Sequence, residues 1–503
     1  MVLSKGAITV ASLALAATAV GETYPVKVEH GRRARMRDGV HLVADVYRPD
    51  AEGRFPTLLQ RTPYDRKGGG RQAADLAAAG YVVVLQDTRG RFDSEGEFYP
   101  FRHEGEDGFD SVAWAATLPS SNGRVGMFGG SYVGATQMLA AAATPPALEA
   151  IFPYVTASEY YEGWTYQGGA LMRWFASSWA SGLTIDTLRR KAEQRLPQAR
   201  EWVWREPIEA YALFEAPAPA EVAPYFRDWV AHESDDGYWR SVRVSDHYGR
   251  MPVKALHAGG WHDIFSTGSI RNYLGLRSGA PTAEARAGQR LLMGPWAHAP
   301  TSPEGKVGDV VFGKQAVLDM TAAIRDWFDY ALRGVANDYA TKPPVRLFVM
   351  GENAWREESE FPLARAVETR YYLEPAAGRM GEAPSRSEGL LSTTPGARSP
   401  STSFEYDPAF PVPTLGGRLC CGAALPPGPA DQRPNESRPD VLVFSTPPLV
   451  RDTVVTGFVS LDLFAATSAV DTDFTAMLVD VEPDGFARYR TRASALALPV
   501  VPR

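Results

Sequence analysis

The sequence predicts an α/β fold class: a domain built on a parallel sheet, interrupted by a helical insertion and followed by an all-β region. Three observations lead to this prediction. Apolar runs suited to strands alternate with helical segments between residues 41 and 150, the order expected of a parallel sheet. Residues 155–245 are helical and aromatic-rich, without buried strand runs. From residue 341 onward, short strands and turns replace helices, as in a β sandwich.

The elements of the predicted domains can be placed one by one. A continuous apolar run such as 81–85 suits a strand that is covered on both faces. Strands of the parallel sheet are predicted at 41–49, 55–64, 81–90, 123–130, 253–263 and 289–299. Helices are predicted at 68–80, at 108–119, from 131 to the prolines at 145 and 146, at 266–277 and, with an amphipathic pattern, at 314–334. In the all-β region, strands are predicted at 345–350, 369–374, 440–446, 454–467 and 473–485.

Composition and charge exclude several classes of protein. A chain of 503 residues is too long for one hydrophobic core, so two or three domains are expected. Its 45 % hydrophobic and 22 % charged residues are typical of a globular protein. The formal net charge of -7, without a dense run of Lys or Arg, argues against a nucleic-acid partner. The expected partner is a small-molecule substrate; a homodimer is compatible with the sequence, which does not determine the oligomeric state.

The N-terminal segment 1–20 is predicted to be a signal peptide. Lys5 precedes an apolar run from Ala7 to Val20, which is shorter than the roughly 20 residues that a membrane-spanning helix needs. Ala17 and Ala19 then supply a small-residue cleavage pattern. We therefore expect a secreted or periplasmic protein without a membrane anchor. If the segment is an uncleaved apolar helix or the start is misassigned, a cytoplasmic location follows.

The two cysteines, Cys420 and Cys421, are adjacent. A disulfide between neighbours would be strained, and two thiols do not make a metal site without several histidines nearby. None of the eight histidines forms an HExxH or HxH pair. We therefore expect neither a metal nor another cofactor.

A candidate nucleophile lies in the stretch "GMFGGSYVGATQ". A serine placed where a strand turns sharply into a helix needs small neighbours, because the turn is tight and the helix packs against the sheet. Gly130 and Gly134 flank Ser131, but the usual G-x-S-x-G signature has glycine where Val133 stands. The pattern alone leaves open whether Ser131 is a nucleophile or an inert residue in a Gly-rich turn.

A general base can be found by elimination. Hydrolases with a serine in such a turn carry their triad in the chain order Ser, Asp or Glu, His, and His298 is the only histidine after residue 262. It follows a buried strand, where catalytic residues of α/β sheets lie. Asp263 ends the preceding strand, so a buried carboxylate there would fix the tautomer of the imidazole. Taken alone, Asp263 also fits an N-cap of the next helix.

An oxyanion hole needs hydrogen-bond donors beside the nucleophile. One is expected to be the backbone N–H of Tyr132, the residue after Ser131. The other should come from the loop after the strand at 55–64, which lacks the HGGG sequence of lipases. The hydroxyl of Tyr64 could donate there, but composition alone does not distinguish this role from that of a tyrosine at the rim.

Six stretches together resemble the CocE/NonD family of α/β-hydrolases, which includes cocaine esterase, cephalosporin acylases, α-amino acid ester hydrolases and X-prolyl dipeptidyl peptidases. The matching stretches are "RTPYD", "QDTRGRFDSEGEF", "NGRVGMFGGSYVGATQ", "GGWHD", "GPWAH" and "PDVLVFSTPPL". The resemblance covers about residues 25–490. In that family the glycine belongs three residues after the serine, as Gly134 does here.

The resemblance implies a function and a domain organisation. It implies Ser131 as nucleophile, His298 as base, Asp263 as its orienting acid, and Tyr64 with Tyr132 as oxyanion donors. It also implies an α/β-hydrolase fold with an inserted helical cap and a C-terminal jelly roll of the galactose-binding-like type. The expected boundaries are 21–154 and 246–340 for the hydrolase domain, 155–245 for the cap and 341–503 for the jelly roll. The family continues beyond the last residue of this sequence, so the expectation is a truncated jelly roll or, alternatively, a final stretch that is out of frame.

The expected activity is acyl transfer from an ester or amide through a covalent intermediate. Relatives that bind a substrate ammonium carry carboxylates soon after the triad aspartate, where this chain has Phe265 and Ser266. Ordinary core packing is an alternative for every aromatic candidate of an apolar acyl pocket: Trp164, Tyr166, Trp174, Trp179, Trp261, Phe265 and Trp296. The functional alternatives are a cephalosporin acylase or other amidase, an X-prolyl dipeptidyl peptidase, and an inactive secreted binding protein that uses its β domain.

Overall fold

Buried apolar runs form the strands of a ten-stranded sheet in the computed structural model. The structure describes residues 23–202, 222–298, 302–375, 389–396, 401–421 and 424–496. The predicted signal peptide at 1–20 lies outside these residues. Strand Val82–Asp87 is buried at every position, as its apolar sequence predicts for a strand covered on both faces.

The strands of the described residues are numbered in chain order. They are β1 (Val26–Arg35), β2 (His41–Pro49), β3 (Phe55–Thr62), β4 (Val82–Asp87), β5 (Ser121–Gly130), β6 (Leu148–Tyr154), β7 (Tyr166–Gln167), β8 (Ala170–Leu171), β9 (Lys254–Gly260), β10 (Gln289–Gly294), β11 (Lys306–Val307), β12 (Val310–Val311), β13 (Val345–Val349), β14 (Ala354–Glu358), β15 (Tyr372–Pro375), β16 (Gly389–Ser392), β17 (Phe444–Ser445), β18 (Asp473–Val481) and β19 (Ala487–Leu496).

The helices are numbered in the same way. They are α1 (Gly70–Ala78), α2 (Glu104–Ala116), α3 (Tyr132–Ala142), α4 (Arg173–Trp202), α5 (Pro224–Ala231), α6 (Gly237–Arg240), α7 (Ser266–Gly279), α8 (Ala283–Ala287), α9 (Met320–Arg333), α10 (Asp338–Thr341) and α11 (Arg433–Glu436). Short 3-10 helices lie at Arg66–Gly69, Ser245–Arg250 and Lys314–Ala316. In the described part of the chain, no helix has the length and apolar character that crossing a bilayer requires.

The large sheet has the strand order β1-β2-β4-β3-β5-β6-β9-β10-β13-β14. The run from β4 to β13 is parallel, and antiparallel strands lie at both edges. Apolar residues of α2 and α3 pack on one face, and those of α1 and α9 pack on the other. The carboxyl ends of β5, β9 and β10 therefore meet along one edge of the sheet, where ligand sites of α/β sheets form.

Three strands of the sheet, β1, β6 and β14, were not predicted from the sequence. β1 is an edge strand whose sequence VKVEHGRRAR exposes most of its side chains, so it has no apolar run. β6 lies between β5 and β9 and contains Pro153, which lacks the N–H that a central strand normally contributes. Its apolar sequence follows the prolines at which the predicted helix ends, and no strand was predicted there.

The boundary at residue 341 does not coincide with the edge of the large sheet. β13 pairs in parallel with β10, and β14 follows it as the antiparallel edge strand. The predicted strand at 345–350 thus belongs to the α/β sheet rather than to the β region. The short apolar run at 345–350 suits a strand of the α/β sheet and a strand of the β region equally well, because strand length and composition do not reveal the pairing partner.

The C-terminal region contains β strands in small sheets. β15, β16 and β17 form one sheet, and β18 pairs with β19 in another. The predicted strand at 454–467 is irregular, and its Phe458 and Phe464 are 59 % and 101 % exposed. The predicted β sheets are present in the described residues, together with the one-turn helix α11, while the jelly-roll topology stays a prediction.

His257 on β9 yields a prediction for the pH dependence of stability. Burial lowers its pKa to about 4, although a hydrogen bond with Gln289 opposes this shift. The unfolded chain, with a histidine pKa of about 6.5, therefore binds the extra proton first as the pH falls. This group's contribution to the unfolding free energy is complete above pH 6.5, and roughly 3 kcal/mol is lost by pH 4.

The His257→Gln variant should lack this loss. Urea unfolding between pH 7 and pH 4 is expected to show wild type and variant converging by roughly 3 kcal/mol. The exposed His103→Gln variant serves as a control and should follow the wild type. If the unfolding free energies of the wild type and the His257→Gln variant changed in parallel with pH, the result would contradict the lowered pKa of His257.

Candidate active site

Ser131 lies at a sharp turn between β5 and α3. Its backbone has φ 60° and ψ -128°, a conformation that L residues rarely adopt. Its N–H donates to the carbonyls of Tyr154 and Val155 at 3.0 and 3.2 Å, and the Thr156 hydroxyl donates to its carbonyl at 2.8 Å. The strand beside β5 thus fixes a backbone that presents the Ser131 side chain at the sheet edge.

The late glycine of the motif has a packing reason. A Cβ atom on Gly134 would stand 2.7 Å from the Thr156 Cβ, so the first turn of α3 packs directly on the segment after β6. Val133 packs against Gly129. A Cβ atom added to Gly129 would stand 2.2 Å from the Val133 Cγ1, so position 129 has no room for a side chain. The small residue required by the turn is therefore at the third position after Ser131.

Asp263 and His298 meet just beyond the ends of β9 and β10. Oδ1 of Asp263 lies 2.8 Å from Nδ1 of His298, and the Asp263 side chain is fully buried. Backbone bonds hold the two loops together: the Trp261 N–H donates to the Gly294 carbonyl, and the His262 N–H donates to the Trp296 carbonyl, both at 2.9 Å. The buried carboxylate can hold the proton on Nδ1 and leave Nε2 as the basic nitrogen.

The Tyr64 hydroxyl lies beside the nucleophile candidate. It interacts with the Ser131 side chain and with the backbone of Tyr132, and it accepts a hydrogen bond from Nε1 of Trp179 at 2.8 Å. Tyr64 is 41 % exposed as a residue, but its hydroxyl end is enclosed. Burial raises the pKa of Tyr64 above its ordinary value despite these hydrogen bonds, so the hydroxyl keeps its proton at neutral pH.

The side chain of Tyr132 anchors the start of α3. Its hydroxyl donates to Glu104 at 2.9 Å and accepts from the Phe101 N–H at 2.9 Å. Burial raises the pKa of Tyr132, so this hydroxyl stays protonated. The anchor holds the backbone N–H of Tyr132 next to Ser131, which is where the sequence predicts an oxyanion donor.

The aromatic candidates separate into two groups. Trp164 and Phe265 stack at 4.6 Å, and Phe265 packs edge-on against His298 at 5.3 Å. Four of the others do not join this cluster: the indole N–H of Trp261 donates to Phe348 and that of Trp296 to Ala316, Tyr166 packs against Trp239, and Trp174 is 40 % exposed. Core packing therefore accounts for Tyr166, Trp261 and Trp296. Phe265 contacts the proposed base, and Trp164 packs on Phe265.

Sequence reasoning named Trp179 only as an aromatic candidate for the acyl pocket, and it missed the hydrogen bond of Trp179 to Tyr64 and the role of Arg91. Trp179 lies on α4 of the insertion and stacks on Tyr132 at 5.7 Å while binding Tyr64. The buried Arg91 donates to the carbonyls of Pro63 and Leu183 at 3.0 and 2.9 Å, which ties the Tyr64 loop to α4. Arg91 lies in the stretch "QDTRGRFDSEGEF", which matches the family. The sequence analysis assigned no role to any residue of that stretch.

The cysteine pair corrects one prediction. Strain was expected to disfavour a disulfide between neighbours, but Cys420 and Cys421 are joined by one. The chain turns at Cys421, whose φ is 67°, and this turn brings the adjacent side chains together. Arg418, two residues earlier, donates to the hydroxyls of Ser266 and Thr267 at 3.2 and 3.3 Å, so the loop is tied to the start of α7.

Comparison with known proteins assigns the family. The model of the X-Pro dipeptidyl-peptidase (S15 family) matches residues 38–300, just over half of the chain. The chain belongs to this S15 family. It is therefore a serine hydrolase, as the resemblance in the sequence predicted. A second model, the X-Pro dipeptidyl-peptidase C-terminal non-catalytic domain, matches residues 337–497 of this S15-family chain.

Individual relatives agree with the family assignment. Cocaine esterase of Rhodococcus sp. strain MB1 Bresler is 38 % identical over 472 residues, covering 90 % of this S15-family chain and 80 % of that enzyme. The solved α-amino acid ester hydrolase has a TM-score of 0.71 at 23 % identity and covers 97 % of this chain and 85 % of its own. An aminopeptidase from the marine sediment archaeon Thaumarchaeota archaeon has a TM-score of 0.72 at 23 % identity. The match covers 99 % of this chain and 87 % of the aminopeptidase chain. The two structures confirm the α/β-hydrolase fold.

Packing at Gly134 of this S15-family hydrolase gives a testable prediction. Gly134→Val places a branched side chain where even a Cβ is 2.7 Å from Thr156, so α3 must shift away from β6. We expect a loss of about 1–3 kcal/mol in unfolding free energy and a lower kcat, because Ser131 and the Tyr132 N–H move with the helix. Gly182→Val on α4, where an added Cβ has no neighbour within 4 Å, is the matched control. Equal effects of the two variants on kcat would contradict this reading.

Proposed function

We propose that this chain hydrolyses carboxylic esters by acyl transfer to Ser131, with His298 as the base and Asp263 as its orienting acid. The observation that carries the proposal is the 2.8 Å hydrogen bond between the buried Asp263 and His298, at the same sheet edge as Ser131. The 38 % identity to cocaine esterase across 90 % of the chain supports an ester substrate.

The proposed reaction has two halves. Ser131 Oγ attacks the carbonyl carbon of the ester while Nε2 of His298 takes the hydroxyl proton and returns it to the leaving alcohol. Water then attacks the acyl-serine, with His298 again as base, and releases the acid. Asp263 stabilises the imidazolium formed in each half, and its burial strengthens that interaction because water does not screen it.

The proposed oxyanion hole consists of the Tyr64 hydroxyl and the Tyr132 N–H. Two arrangements of the chain support it. Trp179 donates to the Tyr64 oxygen, so the single hydroxyl proton of Tyr64 is left to be donated elsewhere. The raised pKa of Tyr64 keeps that proton in place during catalysis. Both donors can therefore stabilise negative charge on the substrate oxygen.

The surroundings of Asp263 favour an uncharged acyl group. Phe265 packs edge-on against His298 and stacks on Trp164, and both aromatic side chains are buried. Next to them, the Arg418 guanidinium binds the Ser266 hydroxyl, at a position where amine-binding relatives were expected to carry a carboxylate. Arg418 and Arg271 line the neighbouring cavity together with the single carboxylate of Glu162. Two guanidinium groups against one carboxylate disfavour the binding of a positively charged α-amine. The proposed substrate class is therefore an ester of an uncharged, apolar acid.

Export of the chain and homodimer formation also belong to the proposal. Export is supported by the sequence of residues 1–20.

Amide cleavage at the same site is the second candidate function. It is supported by the peptidase family to which the chain belongs.

Replacement of the nucleophile tests the proposed function. Ser131→Ala is expected to lower kcat for p-nitrophenyl acyl esters by about 10⁴-fold or more, because no acyl-enzyme can form. Ser278→Ala removes an exposed hydroxyl that bonds only within α7 and should leave kcat unchanged. Circular dichroism and the melting temperature check the fold of both variants. Turnover by folded Ser131→Ala within tenfold of wild type would refute the assignment.

The Tyr64 hydroxyl can be tested separately. Tyr64→Phe is expected to reduce kcat by about 10²-fold with little change in KM, because the donor acts on charge that develops in the transition state. Trp179→Phe should lower kcat by about three- to tenfold, since it removes the hydrogen bond that orients Tyr64 but keeps an aromatic ring against Tyr132. Tyr161→Phe, which loses a hydrogen bond to the Glu233 carbonyl in the insertion, is the control. A loss below threefold for Tyr64→Phe would transfer the role to another donor.

A further inference from the structure

Three metal-binding atoms converge beside the proposed base. A ring nitrogen of His298 and the sulfur atoms of Cys420 and Cys421 all lie within 4.8 Å of one another. Cys421 is exposed, Cys420 is 4 % exposed, and the His298 side chain is 16 % exposed. The cluster is therefore open to solvent on one side, and a hydrated ion can reach it.

We propose that reduction of the Cys420–Cys421 disulfide creates a site for a thiophilic divalent cation, Zn²⁺ or Cd²⁺, which binds both thiolates and His298 and stops hydrolysis. The binding part of this proposal stands on the three donors alone. The inhibitory part rests on the proposed function, because it takes His298 to be the base.

The spacing of the donors suits such an ion. Zn–S bonds of about 2.3 Å and Zn–N bonds of about 2.0–2.1 Å place tetrahedral ligand atoms about 3.5–3.8 Å apart. The donors already lie within 4.8 Å, so side-chain rotation of about an ångström brings them to these distances once the sulfur atoms are separate. Two thiolates and an imidazole form a donor set that these soft or borderline ions prefer.

Asp263 prepares the histidine for this role. It holds Nδ1 of His298 at 2.8 Å, which leaves Nε2 with its lone pair free. Metal-binding histidines in proteins commonly donate their other ring nitrogen to a carboxylate in the same way. The hydrogen bond that would make His298 a base toward Ser131 therefore also makes it a ligand.

The Cys421–Cys420 loop is held in place independently of its disulfide. Arg418 is bonded to Ser266 and Thr267 at the start of α7, only three residues after Asp263. Gly417 exchanges two backbone hydrogen bonds with Gly428 at 2.7 and 2.9 Å. Breaking the S–S bond thus leaves both thiols next to His298.

The chemical steps balance as follows. A phosphine reductant and water become a phosphine oxide and supply the two electrons and two protons that convert the disulfide to two thiols. Zn²⁺ then displaces both thiol protons to solvent and forms two Zn–S bonds and one Zn–N bond, with water as the fourth ligand. The lone pair of Nε2 is now bound to the ion, so it cannot take the proton of Ser131.

The experiment uses the full chain with and without prior reduction by tris(2-carboxyethyl)phosphine. Calorimetric titration with Cd²⁺ or Zn²⁺ should show one ion per chain for the reduced protein and none at this site for the oxidised protein. Bound Cd²⁺ should also give a thiolate-to-metal charge-transfer band in the ultraviolet. Hydrolysis of a p-nitrophenyl ester should fall by about 10²-fold or more on addition of the ion to reduced protein only, and EDTA should restore it.

Variants separate this proposal from the proposed function. Cys421→Ser and the double variant Cys420→Ser/Cys421→Ser should bind the ion weakly after reduction, and their turnover, measured for each variant with and without the ion, should not fall on its addition. Ser131→Ala retains all three donors and should bind one ion when reduced, whether or not Ser131 is the nucleophile. Equal binding by wild type and the double variant, or no binding by the reduced wild type, would overturn the site. Binding without loss of turnover would overturn the inhibitory part of the proposal. Ion binding by reduced His298→Ala then separates the two causes: weakened binding keeps His298 as a ligand and rejects it as the base, whereas unchanged binding rejects it as a ligand.

Discussion

The backbone of Ser131 is the constraint on which the site depends. A residue with φ 60° and ψ -128° costs on the order of 1–3 kcal/mol and persists only where its surroundings hold it. Here Tyr154 at the end of β6 and Val155 just after it each offer a carbonyl to the Ser131 N–H, and Thr156 binds the Ser131 carbonyl. The close approach of Gly134 to Thr156 lets α3 start directly after the turn. The Ser131 hydroxyl and the Tyr132 N–H then lie next to the Tyr64 hydroxyl at the sheet edge.

Segments outside the parallel sheet complete the surroundings of this turn. The helical insertion contributes Trp179, which orients Tyr64, and Arg91 ties that insertion back to the Tyr64 loop. The C-terminal region contributes Arg418 and the cysteine pair, which lie against the segment after Asp263 and beside His298. A domain described as non-catalytic in its family therefore forms part of the wall of the candidate site.

The sequence was sufficient for the parts that depend on local pattern. Apolar runs and turn residues placed β2, β5, β9 and β10 within a few residues, and chain order selected His298 and Asp263 as partners. Features that depend on long-range packing were not accessible. Pro153 concealed β6, the pairing of β13 could not be read from its composition, and most of the tryptophans proposed for the acyl pocket pack elsewhere. The neighbour of the cysteine pair, His298, is also more than a hundred residues away in the chain.

The central claim is that Ser131 is the residue that carries the acyl group. The most direct measurement is peptide mapping by mass spectrometry after reaction with a fluorophosphonate that bears a reporter group. We expect a single adduct on the peptide that contains Ser131. The adduct should form in step with the loss of esterase activity, and prior incubation with an ester substrate should prevent it. Complete inactivation with the adduct on a different residue, or an intact Ser131 peptide in inactivated enzyme, would contradict it.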